Sequence, residues 1–110
     1  FMQPIVWTTL TEINLSPNMI TNIDILTQFS GLRVVDASHN YIREVNLYLP
    51  SLQTLNLSHN MLKAFPELEN MSKLRYLNIN HNKIVDFHST NIEFTPNIQT
   101  LEMEGNQIYF

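Results

Sequence analysis

The 110 residues include no cysteine, which excludes disulfides, thiolate metal sites and cysteine nucleophiles. Glycine occurs twice, at Gly31 and Gly105, so there is no glycine-rich loop to cradle a phosphate. Charge is sparse: Asp, Glu, Lys and Arg make up 15% of the chain, too little for a disordered acidic tail. Six scattered basic residues stand against ten acids, a net −4, and such a surface does not attract nucleic acid. Apolar runs are short and interrupted, as where Asp24 splits the run from Ile23 to Leu26, so no segment is expected to insert directly into a membrane. The chain starts at Phe1 without the basic and apolar regions of a signal peptide. No cofactor motif is present, and neither a cofactor nor a metal is expected.

What is present is apolar material, 44% of residues, and it is periodic. Five segments align without a gap on one pattern. The third reads Leu52-x-x-Leu55-x-Leu57-x-x-Asn60-x-Leu62, and the others begin at Leu10, Leu32, Leu74 and Ile98. The spacings are 22, 20, 22 and 24 residues, and each segment carries an Asn at the same slot: Asn18, Asn40, Asn60, Asn82 and Asn106. Alternation around Leu55 and Leu57 predicts a short strand with those residues inward and Thr54, Asn56 and Ser58 outward. Where the chain leaves the strand its backbone needs new partners. A buried carboxamide, both donor and acceptor, can supply them, so the five Asn are read as a structural ladder.

This pattern resembles the leucine-rich-repeat consensus. The resemblance implies an α/β-type repeat solenoid, a right-handed coil with a parallel β-sheet on its concave face and irregular or 3₁₀ convex segments. The convex pieces are represented by Ile23, Leu26, Phe29, Val45, Leu47, Leu49, Phe65, Leu68, Met71, Phe87, Ile92 and Phe94. The expected division is an incomplete leading segment 1–9, then repeats 10–31, 32–51, 52–73, 74–97 and 98–110, which is five turns. Phe1, Ile5, Val6 and Trp7 resemble the tail of a preceding repeat, and the last repeat stops early, so the chain reads as a fragment of a longer solenoid.

Such repeats imply binding rather than catalysis, with a protein as the expected partner and oligomeric state left open. The concave columns hold four acids (Glu12, Asp36, Glu102, Glu104) against two arginines (Arg33, Arg75). Within them Arg75, Tyr76, Asn78, Glu102, Glu104 and Asp36 are the expected ligand-binding residues, Tyr and Arg being the commonest interface anchors. The alternatives are that this face is merely solvated, or that the repeats are a spacer. Asp36, Ser38 and His39 suggest a triad, but neighbours on a strand point to opposite faces and no pocket encloses them.

His39, His59 and His81 share the slot before the ladder Asn and should stack in a column. Three readings stay open: a turn-compatible residue, a pH-sensitive column, or a metal site, which lacks converging ligands. His88 reads as a surface residue. The sequons at Asn14, Asn56 and Asn70 mark sites for N-glycosylation, although the repeat itself generates the first two. The chain is most similar to extracellular members, such as Toll-like receptor ectodomains and secreted insect immune proteins, which implies an extracellular or cell-surface location. The stretch Leu62 to Leu68 suits cytosolic repeats, and the rival is an intracellular scaffold or adaptor.

Overall fold

The computed structural model describes residues 9–68, 71–87 and 95–108. The expectations for Phe1 to Trp7, Asn70, His88, Ile92 and Phe94 lie outside these residues.

Five strands, β1 (Glu12–Asn14), β2 (Val34–Asp36), β3 (Thr54–Asn56), β4 (Tyr76–Asn78) and β5 (Thr100–Glu102), form one parallel sheet in sequence order. Register is unbroken: Ile13, Val35, Leu55, Leu77 and Leu101 lie side by side. Five strands joined by four connections make a solenoid of about four turns rather than five. We number the coils by their strands.

The strands are three residues long because their exit is diverted. Asn56 Oδ1 accepts the Ser58 N–H at 3.0 Å, and Asn14, Asp36 and Asn78 do the same for Ser16, Ser38 and Asn80 at 2.9–3.0 Å. Pairing between coils nevertheless continues: the Leu57 N–H donates to Asn78 O at 2.8 Å, and the His59 N–H to Asn80 O at 2.9 Å.

The inward residues form one core. Leu52, Leu55, Leu57 and Leu62 are fully buried, as are Leu74, Leu77, Ile79 and Ile84 in the next coil. The same positions in coils 1 and 5 are half-buried, among them Leu15, Ile20, Leu101 and Met103. On the far side, coil 1 forms a 3₁₀ helix, Asp24–Gln28, that buries Leu26. Coil 2 instead runs extended, pairing Asn46 with Glu67 in a parallel bridge. Phe65 and Phe87 pack behind them, their rings tilted by 56° with centroids 5.4 Å apart. Each coil re-enters the sheet through one recurring turn, in which Leu32, Leu52, Leu74 and Ile98 donate to the carbonyl three residues earlier at 3.0–3.1 Å.

The ladder residues bridge coils in one direction. Asn60 Oδ1 accepts the Ile42 N–H at 3.0 Å, and its Nδ2 reaches Ala37 O of the preceding coil at 3.0 Å and Leu57 O of its own at 3.0 Å. Asn40, Asn82 and Asn106 repeat this, accepting from Ile20, Leu62 and Ile84 at 3.0–3.1 Å. Asn18 differs: it is exposed, and its amide donates to Leu15 O within its own coil.

Candidate functional site

Two columns of side chains leave the sheet outward: Glu12, Val34, Thr54, Tyr76 and Thr100, then Asn14, Asp36, Asn56, Asn78 and Glu102. The second column is mostly short, because its Asn and Asp residues bend back to hold the strand exits. Glu102 breaks the pattern. Its longer side chain does not cap Glu104 N, whose partner is Asn80 Oδ1 at 2.7 Å. Glu102 instead accepts the Tyr76 hydroxyl at Oε2, 2.9 Å away, while Asn78 Nδ2 donates to Tyr76 Oη at 3.2 Å.

Tyr76, Asn78 and Glu102 therefore form one cluster across coils 4 and 5. Partial burial raises the Tyr76 pKa, the bond to Glu102 adds to that, and the Asn78 donor opposes it. The phenol stays protonated and donating, its polar end satisfied within the molecule. The ring is half-buried and tethered at its tip.

The other expected binding residues are placed less evenly. Arg75 is exposed one residue before β4, and Glu104 is exposed beyond β5. Asp36 is engaged elsewhere: Oδ1 accepts both the Ser38 N–H at 3.0 Å and the Ser38 hydroxyl at 2.7 Å. Ser38 Oγ also stands 3.0 Å from Ser16 Oγ. Ser58 was expected on the exposed face, but the exit turn buries it, and Ser38 at the same position of coil 2 with it. Ser38 and Asp36 thus meet, while the His39 ring stacks on His59. Asn14 is exposed and Asn56 half-buried on the sheet face, where a glycan would cover the columns.

His39, His59 and His81 form a stack along the exit edge, with ring centroids 4.3 and 4.5 Å apart. All three adopt positive φ, 56°, 56° and 57°, and Gly105 takes the same slot at 75°. A Cβ on Gly105 would meet the His81 ring, whose Cε1 would lie 2.8 Å away. Glycine therefore lets the stack close against coil 5. The rings lie face to face, so their nitrogens do not converge on one point, and the described residues hold no cluster of three or more metal-ligating side chains. Stacking strips water from both faces of His59, which lowers its pKa, and charge on His39 or His81 lowers it further.

The strand-exit acceptors were missed by sequence reasoning. Their signal was an Asn or Asp two residues before a Ser or Asn, a spacing suited to a side-chain-to-backbone turn.

A family model described as Leucine Rich repeats (2 copies) matches residues 50–93. No curated protein matches the chain. Among solved structures, the chain is similar to an internalin C2 from Listeria monocytogenes, with a TM-score of 0.80 and 27% identity. That match covers 93% of this chain and 45% of the other, so the chain spans less than half of its neighbour's length. No described helix is long and apolar enough to cross a membrane.

Proposed function

We propose that this chain of leucine-rich repeats is a protein-binding module whose partner docks on the exposed face of the sheet at coils 4 and 5. The observation that carries this reading is the Tyr76–Asn78–Glu102 cluster. A large amphipathic ring is held in one orientation before any partner arrives, so little side-chain freedom is lost on binding. Exposed Arg75 and Glu104 flank it with opposite charges. The module binds without catalysing: the Ser38 hydroxyl is committed to Asp36, and the His39 ring is stacked on His59. We place the parent protein outside the cell or at its surface, in recognition or adhesion, on the strength of the sequons and the low charge. An intracellular adaptor is the rival, and glycan mass at Asn14, Asn56 or Asn70 on the natural protein separates the two.

The test is a photo-crosslinking amino acid placed at position 76 and, separately, at exposed Tyr48 on the opposite side. Capture of one defined protein from the natural source at position 76 alone is the expected result. Capture at position 48 alone would move the site to the convex side. With the captured partner purified, Tyr76→Ala should cost more than about 1 kcal/mol of affinity.

A further inference from the structure

Beside the tyrosine cluster the sheet has a second feature. Arg75 occupies the slot before its strand, and Gln53 and Gln99 occupy that slot in the coils on either side. Their backbones are tied together, Arg75 N to Gln53 O at 2.9 Å and Gln99 N to Arg75 O at 2.8 Å. The three side chains therefore leave one edge of the sheet at the strand spacing of roughly 4.8 Å. Lys73 and Asn97 stand two residues earlier, and Asn97 is pinned by its amide donating to Ser72 O at 2.8 Å. Together these five residues line an open hollow of about 410 Å³.

Its chemistry runs against the rest of the molecule. The chain carries a net −4, yet the hollow has two cations, three carboxamides and no carboxylate. Neither Lys73 nor Arg75 has an ion pair or a side-chain hydrogen bond among the described residues. A forked guanidinium presents two parallel donors to a carboxylate, an ammonium adds a third, and the glutamine amides can serve the remaining lone pairs. A phosphate dianion fits less well, because two cations are set in a field that is acidic overall.

We propose that this hollow receives the carboxylate of an aspartate or glutamate side chain carried by the docked protein. The proposal rests on the reading that a protein binds this face, and it adds the class of residue that the partner brings. Room for a side chain and its backbone, rather than for a lone ion, agrees with the size of the hollow.

The test is an amide-resolved NMR titration of the chain at low salt (about 20 mM), where screening is weak. The probes are a blocked tetraglutamate peptide, its tetraglutamine counterpart and inorganic phosphate. Tetraglutamate should give saturable shifts at Gln53, Arg75 and Gln99. Its affinity should fall about tenfold in Arg75→Gln and in Lys73→Gln, the loss expected for a charge-assisted bond, and hold in Lys63→Gln. An equal response to tetraglutamine, a tighter one to phosphate, or an equal loss in Lys63→Gln would overturn the proposal. All three altered cations are exposed, so these variants keep the fold. Capture at position 76 without tetraglutamate binding would remove the carboxylate site alone. Tetraglutamate binding without that capture would remove the docking face instead.

Discussion

Asn60 and Asn56 stand four residues apart and illustrate two grades of polar support. Asn60 is buried, and its loss would strip the Ile42 N–H and the carbonyls of Ala37 and Leu57 of their partner. Asn60→Ala should destabilise by about 1–3 kcal/mol, the cost of unsatisfied buried groups. The alternation of the strand places Asn56 outward. Because its side chain holds the Ser58 N–H in a half-buried turn, Asn56→Ala should cost about 1 kcal/mol. Urea denaturation of both variants checks the ranking; equal losses would contradict it. At Gly105 the left-handed backbone and the His81 ring act together. Gly105→Ala should cost about 1–2 kcal/mol from the conformation alone, with a further loss from the clash. Adding His81→Ala should recover the clash portion, and a double-mutant cycle measures it.

Among the elements, the histidine stack has a definite pH response. The folded pKa of His59 lies below the unfolded value near 6.5, so the unfolded chain binds more protons in the interval between them. The stabilisation is complete above about pH 6.5 and is lost as pH falls through that interval. Thermal unfolding followed from pH 7.5 downward should show this decline, and His59→Asn, which tolerates positive φ, should flatten it. The effect is small because the ring edges stay in water. The strands show what was legible in the sequence and what was not. The inward alternation of Leu55 and Leu57, the ladder slot of Asn60 and the histidine column all lie in strict repeat positions, where period alone assigns a face. The exit turns and the bond from Tyr76 to Glu102 were hidden, because they depend on which of several acceptors a side chain reaches once the coils are stacked. The 3₁₀ helix of coil 1 against the extended run of coil 2 was equally hidden, both patterns being compatible with apolar residues at irregular spacing.

Across the whole molecule, each coil is buried by its neighbours, and the gradient from fully buried middle coils to half-buried end coils follows from that arrangement. Leu57→Ala in the middle should cost about 3–5 kcal/mol, whereas Met103→Ala in coil 5 should cost about half as much, since its surroundings collapse or hydrate more easily. Denaturant midpoints of the two variants settle the comparison. The one-way bonding of the asparagines also makes each coil's completeness depend on the coil that follows it. A coil's own backbone donor, such as the Ile42 N–H, is answered only by the asparagine of the coil that follows it. In the folded chain a coil is sealed only where a following coil stands beside it, as coil 3 seals coil 2 through Asn60. The solenoid is therefore built like brickwork, every course locked by the one laid on top of it, and a cut between two coils leaves an unsealed edge on the N-terminal side of the cut.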